Sequence, residues 1–154
     1  MALQYLTGSV TQGSADAFAQ GEIATALSGV SNFAFRLREL MFEISAPSTV
    51  AAAIIEFALS RRSKTSMPLI SDRDVIAKYK YQNVLVTSGL VRAQLVERQV
   101  FAEDDELLIV EDPLYLILDS NATTLTLTCY ARLGVTRESI SAVDRLTLLT
   151  QSLD

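Results

Sequence analysis

Apolar and polar residues alternate with a period of two through most of the chain, and this pattern restricts the fold more than any other feature. Because successive side chains of a strand point to opposite faces, such a run predicts a half-buried β-strand. The alternation is strictest over 124–134, where every second residue is apolar: Leu125, Leu127, Cys129, Ala131 and Leu133. Runs of this kind predict eight strands, at roughly 15–27, 33–45, 50–60, 75–86, 90–101, 106–111, 114–119 and 124–134.

One predicted strand contains a slip in its pattern. Apolar side chains stand at odd positions over 33–37 and at even positions over 40–44. A single extra residue near Arg38 and Glu39 returns both halves to one buried face. The sequence therefore predicts a β-bulge at this point.

The order of the predicted elements decides the fold class. No helical pattern separates the strands, which argues against βαβ crossovers and favours antiparallel pairing. Eight antiparallel strands predict an all-β, two-sheet sandwich of the jelly-roll type. A closed up-and-down barrel is the alternative, but the long polar connection at 60–74 counts against it, because hairpin barrels favour short turns.

A length of 154 residues predicts a single domain. We expect an N-terminal arm at 1–14, the β-sandwich at 15–134 and a C-terminal appendage at 135–154. In the appendage, apolar residues recur at three- and four-residue steps, which predicts a short amphipathic helix with Thr136 or Ser139 as its N-cap. A strand near 145–151 is the alternative.

The composition excludes much enzyme chemistry. The chain has no histidine, so it cannot form a Ser-His-Asp triad, a Cys-His pair or a histidine-ligated metal site by itself. Its single cysteine, Cys129, cannot form an internal disulfide, and its place in an alternating run predicts a buried hydrophobe. We therefore expect a protein that is not an enzyme and that uses no cofactor.

The charge is unevenly distributed. The net charge of −5 combines +2 over residues 1–98 with −7 over residues 99–154, and neither end carries an Arg/Lys-rich arm. Strong binding of nucleic acid is therefore not expected. The chain begins without a signal-peptide pattern and lacks an apolar stretch of about 18 residues, so we expect cytoplasmic synthesis and no membrane span.

Two charged groups are candidate sites. The acidic group supplies oxygen ligands that suit a hard cation such as calcium, although its spacing does not fit an EF-hand and a solvated loop is the alternative. It consists of Glu103, Asp104, Asp105 and Glu106, followed by Glu111 and Asp112.

The basic group lies in the 60–74 connection. Its cations are candidate subunit contacts, with the acidic last third of another copy as their partner, while a solvated loop and phosphate contacts are the alternatives. The group consists of Arg61, Arg62, Lys64 and Arg73.

This pattern resembles the single jelly-roll capsid proteins of small icosahedral viruses and phages. The resemblance covers 15–134 and consists of eight strands, a long loop in mid-chain and a short appendage after the last strand. It implies self-assembly into a closed shell through loop and terminus contacts, with other virion proteins as further partners and the virion as the final location. Unlike RNA-packaging members, this chain has no basic N-terminal arm, which puts direct genome binding in doubt.

The leading expectation is a self-assembling viral or phage capsid protein. The apolar fraction of 49% and the excess of arginine over lysine, 10 to 3, both suit a chain with covered interfaces. A non-catalytic β-sandwich module that binds sugar or peptide within a larger assembly is the alternative. An enzyme with a carboxylate-only mechanism ranks third.

Overall fold

The computed structural model describes residues 2–27, 32–45, 54–82, 94–102, 107–121 and 126–151. These residues form nine strands and one helix. The strands are β1 (Gln4–Thr11), β2 (Ala19–Ile23), β3 (Phe33–Ser45), β4 (Ile54–Ser60), β5 (Val75–Gln82), β6 (Gln94–Val100), β7 (Leu108–Ile109), β8 (Leu114–Ser120) and β9 (Thr128–Ser139), and the helix is α1 (Ala142–Gln151).

The strands form two antiparallel sheets. The larger sheet has the order β1-β9-β3-β6, with the short β7 also paired to β3, and the smaller sheet has the order β2-β8-β4-β5. The pairs are nested along the chain: β4 with β5, β3 with β6, β2 with β8 and β1 with β9. Nested antiparallel pairs wrapped into two sheets make a jelly roll, which confirms the predicted sandwich. An up-and-down barrel would instead place consecutive strands side by side.

The core lies between the two sheets. Phe42 of the larger sheet meets the rings of Phe57 and Tyr79 of the smaller sheet, with centroid distances of 5.0 and 5.5 Å. The two phenylalanine side chains are fully buried. The inward face of β9 follows the predicted alternation, since Cys129 and Leu133 are also fully buried. Edge-to-face contacts of this kind add to the stabilisation that burial of the ring area provides.

The predicted bulge is present in β3. The register between β3 and β9 shifts between Leu37 and Glu39, close to the position that the change of parity predicts. The shift allows Leu37 and Leu40 to be fully buried on the same face. A β-bulge therefore lets one long strand keep a single apolar face along its length.

The N-terminal arm predicted for 1–14 is corrected by the structure. Residues 4–11 form β1, which pairs with β9 along its whole length at the edge of the larger sheet. Gly8 conceals this strand in the sequence, because it occupies an inward position where an apolar side chain would be expected. A Cβ at Gly8 would lie 2.5 Å from Cγ1 of Ile23, so the close approach of β1 and β2 requires glycine here.

The boundary of the C-terminal appendage is also corrected. β9 continues to Ser139, whereas the sequence predicts its end near residue 134, and the predicted helix begins at Ala142. The N-cap is Ser141, whose Oγ accepts a hydrogen bond of 3.0 Å from the backbone N–H of Asp144. Thr136 and Ser139 do not cap the helix, because both are paired with β3 inside the sheet.

Candidate functional site

The predicted long connection is a loop, residues 61–74, that crosses the outer face of the smaller sheet. Ile117 and Ala58 are neighbours in the outward row of this sheet, yet both are fully buried. Pro68, inside the loop, is buried as well. The outer face of the smaller sheet is therefore closed to solvent at its centre, and the 61–74 loop is the segment that spans it.

Polar side chains at both ends of this outward row fasten the loop. Gln20 on β2 donates to Oγ of Ser63 over 3.0 Å and accepts from the backbone N–H of Lys64 over 2.7 Å. At the opposite edge, Lys78 on β5 donates from Nζ to the carbonyl oxygen of Pro68 over 2.9 Å. The loop is thus attached to the first and the last strand of the sheet.

Lys64 closes the loop on itself. Its Nζ lies 2.9 Å from Oδ2 of Asp72 and 2.7 Å from Oδ2 of Asp74. Partial burial acts to lower the pKa of Lys64, but hydrogen bonds to Asp74 and Asp72 and their negative charges outweigh it, so this pKa is raised. The hydrogen bond from Lys64 in turn lowers the pKa of Asp72. Both shifts favour the ion pairs over their neutral forms.

We expect Lys64→Met to loosen the loop, because two carboxylates lose their shared cation. The free energy of unfolding should fall by roughly 1–2 kcal/mol, and thermolysin should cleave the loop faster. The raised pKa of Lys64 means that its contribution is fully present below the ordinary value of 10.5 and is lost as the pH rises through the raised value. The difference in unfolding free energy between wild type and Lys64→Met, measured with urea, should therefore shrink as the pH rises above 10.5.

Arg73→Met is the matched control for that experiment, since Arg73 is an exposed cation of the same loop. This variant should be cleaved at the wild-type rate. Equal cleavage rates for Lys64→Met and wild type would contradict the role assigned to Lys64.

Arg61 and Glu111 form an ion pair at the root of the loop. Nη1 of Arg61 lies 2.8 Å from both carboxylate oxygens of Glu111, and Nη2 donates to the carbonyl oxygen of Leu108 over 3.0 Å. The two side chains are only 16% and 9% exposed. Glu111 also accepts from the backbone N–H of Val110. The pair ties the start of the loop to the segment before β8.

The structure places the predicted basic group as follows. Arg61 and Lys64 are held in ion pairs within the chain, and Nε of Arg62 lies 3.5 Å from Oδ1 of Asp74. Arg73 is exposed. Sequence reasoning located these residues in one loop but missed the acidic partners. Asp74 stands in the same loop and was a local signal, whereas no sequence pattern indicates that Glu111 approaches Arg61.

The predicted acidic group divides into two parts. Residues 103–106 lie outside the described residues, so the cation site proposed for them stays a prediction. Glu111 pairs with Arg61, and Oδ1 of Asp112 accepts from the backbone N–H of Thr25 over 2.9 Å. Within the described ranges, no group of three or more acidic or cysteine side chains is placed to hold a metal ion.

A second acidic group, not predicted from the sequence, lines a cleft of about 320 Å³ on the smaller sheet. Asp119 on β8 stands directly opposite Glu56 on β4, and Asp16 lies nearby in the same cleft. Burial raises the pKa of Asp119, and the charges of Glu56 and Asp16 raise it further. We name this the acidic cleft; it is lined by Asp16, Ile54, Glu56, Lys80, Asp119, Ser120 and Asn121.

Asp119→Asn should stabilise the protein at neutral pH. The pKa of the Asp119 carboxyl is raised in the folded state. The folded protein therefore loses stability as the pH rises from the ordinary pKa of 3.8 through the raised pKa. Removal of the charge should therefore add about 0.5 kcal/mol at pH 7, as for other like charges placed opposite each other across strands. Urea unfolding at pH 7 and at pH 3 measures the gain and its expected loss in acid.

Glu22→Gln serves as the control, since Glu22 is an exposed carboxylate on β2 of the same sheet. It should change stability by no more than a few tenths of a kcal/mol. A destabilised Asp119→Asn at pH 7 would contradict the repulsion inferred here.

Another cleft, of about 350 Å³, lies where the root of the loop meets the start of β8 and helix α1. Pro113, Tyr115 and Leu149 supply its apolar side chains, and four charged side chains and Ser63 form the rest of the lining. We name it the arginine cleft; it is lined by Arg61, Arg62, Ser63, Glu111, Asp112, Pro113, Tyr115 and Leu149. Its mixed lining suits an apolar group that carries polar flanks.

Among the residues that the structure describes, large apolar side chains are exposed on three separate parts of the molecule. The tip of the 61–74 loop exposes Leu69 and Ile70, which are 71% and 69% accessible. Helix α1 buries none of its side chains and exposes Val143 and Leu146. Further exposed apolar residues lie on the larger sheet: Tyr5, Val96, Val100 and Tyr130.

One exposed side of α1 combines apolar residues with threonines whose hydroxyls are bonded within the helix. Val143, Leu146, Thr147 and Thr150 stand three and four positions apart and therefore share one side of the helix. The hydroxyl of Thr147 donates to the carbonyl oxygen of Val143, and that of Thr150 donates to the carbonyl oxygen of Thr147. The threonine hydroxyls are thus directed towards the helix backbone.

Cys129 is fully buried, as predicted. Burial raises the pKa of its thiol to about 12. The reactive thiolate is therefore scarce at neutral pH, and the side chain contributes to packing.

Comparison with known proteins adds no identification: the chain matches no protein-family model and no curated protein. Within the described part of the chain, no helix is both long enough and apolar enough to cross a bilayer.

Proposed function

We propose that this protein is a self-assembling structural subunit, most specifically a viral or phage capsid protein that builds an icosahedral shell. One observation carries the proposal: a well-packed jelly roll exposes large apolar side chains on a loop tip, a helix and a sheet face. Single exposed apolar residues are normal on a monomer, whereas grouped ones mark surfaces that other molecules cover. Three such surfaces suit a subunit with several neighbours.

The arrangement of charges also favours contact surfaces over catalysis. The ion pair of Arg61 with Glu111 fastens the loop to the sandwich, and the ion pairs of Lys64 close the loop on itself. Jelly rolls occur in viral shells, in lectins and in cupins, so the fold by itself does not select among these functions. In this chain, the polar contacts that fasten the loop leave its apolar tip in solvent, and this favours assembly.

The net charge fits a shell that is held together by loop and terminus contacts between protein subunits. The chain carries −5 overall, and the clustered cations Arg61, Arg62 and Lys64 already face carboxylates within the chain, so the proposed shell does not rely on strong binding of nucleic acid. Its partners are other copies of itself and other virion proteins. The proposed location is the virion, after synthesis in the host cytoplasm.

Size-exclusion chromatography with light scattering tests the proposal. We expect a species far heavier than the 16.8 kDa chain, and we expect it to persist in 1 M salt because apolar contacts are not screened. A single 16.8 kDa species at high protein concentration would overturn the proposal.

A second candidate is a non-catalytic module that binds sugar or peptide, and the arginine cleft is the observation that favours it. The ring of Tyr115 and the guanidinium of Arg62 line the same cleft and would suit an extended peptide with an apolar side chain. This candidate predicts a monomer that binds glycans or peptides. It also predicts that Tyr115→Ala abolishes binding without a change in mass.

A further inference from the structure

Helix α1 lies against the sandwich without packing deeply into it. Within the described part of the chain, none of its side chains is buried, and Val143 and Leu146 are 73% and 63% exposed. Leu148 and Leu149 are only partly buried. Leu149 lines the arginine cleft, so an open volume of about 350 Å³ adjoins the C-terminal half of the helix. Burial of an apolar face, which stabilises most short helices in proteins, is therefore incomplete in α1.

A charged side chain makes the central contact between α1 and the sandwich. Nη2 of Arg145 donates to the carbonyl oxygen of Leu27 over 2.9 Å and to that of Val110 over 3.4 Å. We name these two carbonyl groups the Arg145 socket. Among the described residues, Nε of Arg145 is buried and has no hydrogen-bond partner. Docking of the helix therefore removes water from this N–H group without replacing its hydrogen bond, and this cost weakens the docked state.

The Arg145 socket is held in place by contacts that do not involve α1. The backbone N–H of Thr25 donates to Oδ1 of Asp112 over 2.9 Å, and the hydroxyl of Thr25 donates to the carbonyl oxygen of Glu111 over 2.8 Å. These bonds join the segment after β2 to the segment before β8. Ala26, which precedes Leu27, adopts a left-handed φ of 57°. A residue with a Cβ keeps this conformation only where its surroundings impose it, so the socket belongs to a firmly held part of the sandwich.

We propose that α1 is an order–disorder switch and that Arg145 is its latch, the side chain whose bonds keep the helix in place. An isolated helix shorter than about 12–15 residues is marginal in water, and α1 has ten residues. When Arg145 leaves its socket, residues 142–151 separate from the sandwich and lose their helical structure. The chain before them stays in place, because the backbone N–H of Ile140 donates to the carbonyl oxygen of Asn32 over 3.1 Å.

This switch goes beyond the proposed function, because it operates in a monomer as well as in an assembled subunit. Release of α1 withdraws Leu149 from the lining of the arginine cleft and leaves Pro113 and Tyr115 as its apolar side chains. Elements that become ordered and disordered without global unfolding are typical of the low-stability parts of a fold. The structure of α1 therefore depends on one side chain more than on the core.

Hydrogen exchange of the full-length chain tests the latch. Arg145→Met removes both bonds to the socket and leaves the intrinsic helix propensity almost unchanged. We expect the amides of residues 146–150 to exchange at least about fivefold faster than in wild type, the factor that loss of one hydrogen bond provides. The amides of β9 should exchange at the wild-type rate. The matched control is Ala142→Met, which introduces the same side chain at an exposed position of α1 and should leave all rates unchanged.

Urea unfolding separates local release of the helix from a general loss of stability. Local release predicts that Arg145→Met keeps the wild-type urea midpoint, since the two sheets do not depend on α1. Equal exchange rates for α1 in Arg145→Met and in wild type would overturn the proposal. Faster exchange in all strands together with a lowered midpoint would overturn it too, because Arg145 would then stabilise the whole fold. Neither result bears on self-assembly, which the mass of the wild-type species tests separately.

Discussion

Arg61→Met is expected to lower the free energy of unfolding by about 3–5 kcal/mol, because it leaves the carboxylate of Glu111 buried without its cation. Glu111 is only 9% exposed, and Arg61 donates to both of its oxygens over 2.8 Å. The carbonyl of Leu108 loses its donor in the same variant. Urea unfolding at one fixed protein concentration measures the loss, since assembly makes apparent stability depend on concentration.

Two further variants separate the buried pair from a general effect of removing charge. Arg73→Met removes an exposed arginine from the same loop and should change stability by no more than about 0.5 kcal/mol. Arg61→Met combined with Glu111→Leu should recover much of the loss, because no buried charge then remains. A loss below about 1 kcal/mol for Arg61→Met would contradict the inference that Glu111 depends on this partner.

Phe57→Ala is expected to cost about 3–5 kcal/mol, a large part of the 5–15 kcal/mol that stabilises a typical domain. Phe57 is fully buried, and its ring lies 5.0 Å from that of Phe42 in the opposite sheet and 5.3 Å from that of Tyr79 in its own sheet. The truncation removes one of three mutually contacting rings that join the two sheets. Thermal unfolding by circular dichroism measures the expected fall in Tm.

Phe33→Ala is the matched control for Phe57→Ala. Phe33, the first residue of β3, is only half-buried and lies beneath the guanidinium of Arg137, so its loss should cost much less. Equal losses for the two variants would contradict the location of the core between the sheets.

Much of the fold is predictable from the sequence, because burial of one face imposes a period of two. Leu127, Cys129, Ala131 and Leu133 alternate in the sequence and face the core in the structure. The bulge near Glu39 was equally visible, since a change of parity in a long apolar strand requires an extra residue. Backbone geometry therefore links these two predictions directly to the pattern.

The edge strand β1 was not predictable, because its close packing against β2 requires glycine where the sequence pattern of a strand would show an apolar residue. Gly8 and Gly21 face the contact between β1 and β2, where a Cβ at Gly21 would lie 2.7 Å from the carbonyl oxygen of Ser9. Because glycine carries no apolar side chain, a strand that needs glycine at inward positions does not show the alternation of apolar and polar residues. The predicted arm and the observed strand differ for this reason.

The candidate site was predictable only in part. The basic residues of the 61–74 loop attract attention in the sequence, but their partners depend on the folded chain. Glu111 lies 50 positions from Arg61 and reaches it only because the loop returns across the smaller sheet. The acidic cleft arises in the same way, since Asp119 meets Glu56 only when β8 pairs with β4.

These contacts make the 61–74 loop a preformed contact surface. Arg61 and Lys78 hold its backbone against the sandwich, and Lys64 closes it on itself. Its two most exposed apolar residues, Leu69 and Ile70, are directed away from that support. A loop fastened in this way is suited to contact another molecule without first becoming ordered. The proposed self-assembly uses the loop in this way.

Negative-stain electron microscopy of the purified wild-type chain shows whether the protein assembles. We expect closed particles of uniform diameter for the wild type and smaller or incomplete particles for Ile70→Glu under the same conditions. A field without particles, from protein that light scattering shows to be a folded 16.8 kDa monomer, would contradict the proposed self-assembly.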